Sequence, residues 1–170
     1  LVGQIIANYY VIASACFNTS GTGRNNGTVT SLCPNGLDTQ TELTTAAAAT
    51  ACTDVGYFPD DPDAADGCAH GTHVASIAAG RPLTLGSGTR VSGVAPSASI
   101  VAVNVFSLFD AAACASEGDD PDESACVLSY ATDQIRALDW LYLNRSQLNL
   151  ASVNMSLGGF GNRVTACGGT

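Results

Sequence analysis

Lysine is missing from this chain: all six positive charges in its 170 residues are arginine, and they face fifteen acidic side chains for a net charge of −9. Without a basic stripe to follow a phosphate backbone, a nucleic-acid partner is excluded. No apolar run approaches the length of a membrane span, so no membrane partner is expected either. The sequence from Leu1 onward has no basic, apolar leader pattern and is expected to be mature sequence. There is no CxxC pair, no HExxH helix and no GxSxG elbow, which argues against a zinc ribbon, a zinc peptidase of that type and an α/β-hydrolase nucleophile. Histidine is scarce too, with only His70 and His73.

What remains is a globular composition, 46% hydrophobic and 12% charged, long enough for one domain with a buried core. Seven cysteines stand at 16, 33, 52, 68, 114, 126 and 167. Their density fits disulfides and an oxidising, extracytoplasmic setting, and so a secreted protein. The expected pairs are Cys114–Cys126, Cys16–Cys33 and Cys52–Cys68, leaving Cys167 without a partner in this chain. The odd count is a first hint that more protein belongs with it. Acidic residues gather at Asp54, Asp60, Asp61, Asp63 and Asp66, and again at Glu117, Asp119, Asp120, Asp122 and Glu123. Solvated loops explain both clusters; a structural calcium ion is the other reading, although neither cluster has EF-hand spacing, and the identity of any metal ligand stays open.

Along the chain, residues 1–14 suit a short strand. Residues 17–66 show little apolar periodicity and read as a long insertion stapled by Cys16, Cys33, Cys52 and Cys68, with one or two helical turns at Ala46–Ala49. From position 70 the pattern changes. A helix is expected over 70–79, with Val74, Ile77 and Ala78 facing inward, stopped by Gly80 and Pro82. Residues 99–106 (SIVAVNVF) read as a strand buried on both faces of a parallel sheet. A helix follows over 131–143, with Ile135, Leu138 and Leu141 or Tyr142 inward, then a second buried strand at 151–157. The expected fold is α/β, a largely parallel sheet with flanking helices and a long disulfide-stapled insertion. Ligands of such sheets bind beyond the carboxyl ends of the strands, here the 107–128 loop and the Ser156-Leu157-Gly158-Gly159 turn, where an extended peptide can add as a strand.

The two histidines lie three apart. As a metal pair they lack further ligands, and as core histidines they would be merely structural. Their setting favours chemistry: with a loop at Asp66–Ala69 and the helix starting at His70, the dipole would hold the imidazole neutral and able to take a proton from a hydroxyl.

At this point HGTHVASIAAG (70–80), GVAPSASIVAVNV (93–105) and VNMSLGG (153–159) together resemble the subtilisin family, in the family's order and across roughly residues 68–160. The resemblance implies a subtilisin-like fold and makes residues 1–170 part of a single catalytic domain of a secreted serine endopeptidase. It makes His70 the general base of an Asp/His/Ser triad. It also implies that Ser156, Leu157 and Gly158 form one strand beside the bound peptide, with Val127 and Leu128 on the facing strand. The implied partner is a peptide or protein substrate, and no cofactor is required for the chemistry.

The departures are specific. No DTG- or DSG-like aspartate segment precedes His70, and no GTSMA-like serine segment or oxyanion-hole asparagine follows the SLGG turn. These parts are expected upstream and downstream, and the 170 residues alone are expected to be inactive. Ser76 replaces the usual glycine of HGTHVAG, and the loop after Gly80 lacks the asparagine of a common calcium site. The rival reading is a non-catalytic extracellular module that binds calcium or a protein on a similar fold.

Overall fold

A computed structural model describes residues 10–49, 62–114 and 125–158, of which 62–69 are described by backbone alone. Nine strands and three α-helices are found among them: β1 (Tyr10–Phe17), β2 (Gly21–Thr22), β3 (Thr28–Thr30), β4 (Thr39–Glu42), α1 (Pro62–Ala79), β5 (Leu83–Thr84), β6 (Arg90–Val91), β7 (Ser99–Asn104), β8 (Ser107–Asp110), α2 (Ala111–Cys114), β9 (Ala125–Leu128) and α3 (Ala131–Asn144).

β1 is the centre of the first sheet, ordered β4-β1-β7. It runs parallel to β7 and antiparallel to β4. The parallel pair needs a long crossover, and α1 lies within it, so β1, α1 and β7 make a β-α-β connection. Strand alternation assigns the two faces of β1 different jobs. Ala13, Ala15 and Phe17 turn toward α3, where they pack with Ala137, Leu141 and Leu148, and Trp140 closes over Phe17 with ring centroids 6.3 Å apart. Two alanines on that face let the helix approach closely, and burying the Phe17 ring contributes about 1.5–3 kcal/mol. On the opposite face the Ser14 hydroxyl donates to the Thr45 carbonyl (2.8 Å) and accepts from the Ala48 N–H (2.9 Å), while Cys16 is bridged to Cys33.

The second sheet, ordered β2-β3-β8-β9, is wholly antiparallel. Its core is Val29, Phe109, Ala113 and Cys114, with Leu128 and Tyr130 against it. β5 and β6 form a separate hairpin.

Several expectations are corrected. The sheets are mixed and antiparallel, and the only parallel ladder among the described residues is β1–β7. The expected strand at 99–106 forms and is parallel, but it is half-buried and ends at Asn104: the Asn104 side chain accepts the Phe106 N–H at 2.8 Å, and this turn sends the chain out of the first sheet and into β8 of the second. Residues 151–158 form no strand or helix, and 151–156 are exposed, so the second buried strand is not formed. The apparent insertion contains β2, β3 and β4; their short Thr-rich runs lie partly in solvent and so carry no apolar period. Ala46–Ala49 form a single turn. The inward faces of both helices also differ from expectation. Ile77 is 69% exposed, Ile135 57% and Tyr142 64%, whereas Ser76, Ala79, Asp133, Ala137 and Leu141 are buried. Apart from Leu141, the residues these helices bury are small or hydrogen-bonded rather than large and apolar.

Candidate active site

His70 sits well inside α1, because the helix begins at Pro62 rather than at position 70. Proline at the first helical position and the alanines that follow explain the early start. The helix dipole, whose influence fades within a turn of the end, therefore has no special hold on His70. The His70 side chain is exposed, and His73, one turn on, is half-buried.

The carboxyl end of α1 is held by a second backbone segment. Val94 N–H donates to the Ile77 carbonyl at 2.9 Å, Ala95 N–H to Ala78 at 2.8 Å and Gly93 N–H to Gly80 at 2.7 Å. These carbonyls have no partner within the helix itself, and an unpaired one would be costly if buried. Gly93 makes the approach possible: a Cβ there would stand 2.4 Å from the Gly80 nitrogen and 2.9 Å from the Ser76 oxygen. Ser76 is buried, and its hydroxyl turns back onto the Thr72 carbonyl (2.9 Å), so the residue that departs from HGTHVAG satisfies itself within the helix. The histidine box and the GVAP segment thus form one unit, with His70 on its exposed side.

α1 runs close to β7 and to β9. Val127 and Leu128, half-buried, lie on β9. β9 pairs with β8 on one side only, so among the described residues its other edge is open. That strand is braced twice: Cys114–Cys126 links it to α2, and Leu128 packs in the Phe109–Tyr130 cluster. Asp110, ending β8, accepts the Ala113 N–H (2.9 Å) and the Thr28 N–H (2.7 Å). These backbone bonds, the one from Ala113 foremost, hold its carboxyl below the usual value.

Ser156 and Gly158 are exposed, and Asn154 donates from its side chain to the Ser156 hydroxyl at 3.0 Å. Leu157 is half-buried against the Ala15–Phe17–Val105–Ala137 cluster. His70, the β9 edge and the 156–158 segment are therefore carried by three different parts of the fold. α1 runs close to β9, while 156–158 is anchored separately through Leu157. The Cys16–Cys33 and Cys114–Cys126 bridges join the cysteines paired on sequence grounds; Cys52 and Cys167 lie outside the described residues, as does the side chain of Cys68. No group of His, Cys, Asp and Glu able to hold a metal occurs among the described residues, and the acidic side chains of 54–66 and 117–123 lie outside them. No helix there is long and apolar enough to cross a membrane.

Two contributions were not legible as motifs. One is the Gly93–Ala95 clamp; its glycine followed by Val-Ala-Pro was visible, but its target was not. The other is a buried polar hub beneath α3. Asp133, 1% exposed, accepts from the Thr19 hydroxyl (2.9 Å) and pairs with Arg136 (3.1 Å). Arg136 also donates to the Asn18 carbonyl and the Thr39 hydroxyl, and its guanidinium lies over the Phe17 ring. This hub ties the end of β1 to α3 and β4.

The family model of the subtilases matches residues 25–166, most of the chain. The chain belongs to the subtilase family. No curated protein and no solved structure matches it.

Proposed function

We propose that this chain is the histidine-bearing part of a secreted serine endopeptidase with a subtilisin-like catalytic domain, in which His70 is the general base. The observation that carries this reading is the exposed His70 on a helix clamped at its carboxyl end, running close to β9 and its open edge. A peptide substrate would add to that edge beside Val127 and Leu128, exchanging backbone hydrogen bonds as a strand does. Ser156, Leu157 and Gly158 would line its other side. The aspartate that orients His70 and the serine that attacks the peptide carbonyl come from segments with no counterpart among these 170 residues. His70 takes the serine proton as the tetrahedral intermediate forms and returns it to the leaving amine, giving an acyl-enzyme that water then hydrolyses. No cofactor takes part in these steps.

The test is His70→Ala in the full-length protein. Turnover per folded molecule should fall by about four to six orders of magnitude, as for loss of a triad member. Near-normal turnover would remove the general-base assignment, whereas a full-length protein with no turnover at all would favour a binding module on this fold.

A further inference from the structure

Four Asn-x-Ser/Thr triplets occur in the chain, at Asn18, Asn26, Asn144 and Asn154. This is the acceptor pattern for N-linked glycans in exported proteins. The structure separates the four. Asn18 is fully buried; its side-chain oxygen accepts the Leu32 N–H at 2.7 Å, its Nδ2 is enclosed without a partner, and its backbone N–H reaches the Asp38 carbonyl. Asn144 is half-buried at the end of α3, with its amide donating to the Trp140 carbonyl at 2.8 Å. Asn154 is exposed, but its amide is engaged with Ser156. Asn26 alone is exposed at the tip of a tight turn, has a left-handed backbone (φ 58°) and makes no side-chain hydrogen bond among the described residues.

We infer that Asn26 is the site at which this chain carries an N-linked glycan when it passes through a glycosylating secretory route. The inference rests on the reading that the protein is exported. The donor is an oligosaccharide joined through its terminal N-acetylhexosamine to a lipid pyrophosphate. The Asn26 Nδ2 loses a proton to a base and forms the bond to the sugar C1, while the C1–oxygen bond breaks and the lipid pyrophosphate leaves. Transfer precedes complete folding, so the fold acts by selecting which glycoforms can close. At Asn26 the sugar projects into solvent. The next residue, Gly27, is seated against α2, where a Cβ would stand 2.3 Å from the Ala113 nitrogen, and this seat holds the turn while leaving its tip free. A glycan on Asn18 would have to occupy the space between β1 and the Leu32 loop, and such chains would not form the Cys16–Cys33 bridge.

The experiment is secretion of the full chain from a eukaryotic cell line, then enzymatic release of glycans in heavy-oxygen water. Each modified Asn becomes an isotopically labelled Asp that peptide mass spectrometry locates. The expected result is label at 26 and none at 18 in secreted protein that holds both described bridges. Asn26→Asp, which keeps a side chain suited to the left-handed backbone and is the residue that enzymatic release leaves, should abolish the isotopic label at that site without lowering the melting temperature below that of the deglycosylated protein. An unlabelled residue 26 in such protein would overturn the inference, as would label at 18 in molecules with the Cys16–Cys33 bridge intact. The readout is mass, so failure of the peptidase reading, seen as absent turnover, is a separate result.

Discussion

His70 and His73 share a helix and a composition, yet their surroundings assign them different roles. His70 is exposed and free to meet a substrate, whereas His73 is half-buried one turn later. His70→Ala should therefore leave the melting temperature nearly unchanged while removing turnover. His73→Ala should cost about 1 kcal/mol of stability, with activity following the folded fraction. Melting curves beside kinetic assays separate the two. Asp110 offers a pH test. Its carboxyl is held below the usual aspartate value by N–H donors, that of Ala113 foremost, so the stability it contributes is fully present above that usual value. It is lost as pH falls through the lowered folded value, when protonation removes the charge those donors face. Asp110→Asn should lower the melting temperature at neutral pH, and the gap from the parent protein should narrow in strong acid. A gap that stays constant with pH would show that the charge plays no part.

Among the elements, the clamp on α1 is the one most exposed to a single change. Any side chain at Gly93 must displace backbone atoms of Gly80, Ala79 or Ser76, not a flexible tip. Gly93→Ala should destabilise by about 1–3 kcal/mol through overpacking and loss of the Val94 and Ala95 hydrogen bonds. The Thr72–Ala79 amides should then exchange faster with solvent. Denaturant unfolding and hydrogen exchange measure the two effects. The hub under α3 is a second such place. Thr19→Ala removes one donor from the buried Asp133, at a cost of about 1–3 kcal/mol. Asp133→Ala should cost more, since it removes the Thr19 hydrogen bond and the Arg136 ion pair together.

Among the described residues, the two larger sheets meet where β7 turns into β8, and one disulfide, Cys114–Cys126, braces the element that faces substrate in the proposed mechanism. Replacing both Cys114 and Cys126 by Ser should cost about 2–4 kcal/mol. In the full-length enzyme it should raise KM more than it lowers kcat, because β9 is an edge that positions peptide and performs no chemistry. An unchanged KM would show that the bridge merely stabilises. The 170 residues by themselves, lacking a GTSMA-like serine segment, should not be labelled by a fluorophosphonate. Stoichiometric labelling of any serine would contradict the division of the triad proposed above.

The family was readable from residues alone, because HGTHVA, GVAPSASIVAVNV and VNMSLGG demand particular side chains at fixed short spacings. The two described disulfides were also readable, since cysteines close in sequence that flank short segments have few partners within reach. Helices at 70–79 and 131–143 announced themselves by composition, although their inward faces did not. Periodicity counts apolar residues, while Asp133 is buried with the Thr19 and Arg136 side chains as its partners and Ser76 with the Thr72 carbonyl as its own. Sheet pairing lay further from reach. Whether SIVAVNVF stays in one sheet depends on the turn at Asn104, and whether 151–157 becomes a strand depends on an adjacent edge. Local sequence decides which backbone groups are free to bond; only the tertiary structure decides which free groups stand opposite one another. That is why the chain's own residues were enough to place it among the subtilases, and why the clamp on α1, the polar hub at Asp133 and the open edge of β9 emerged only from the packed fold.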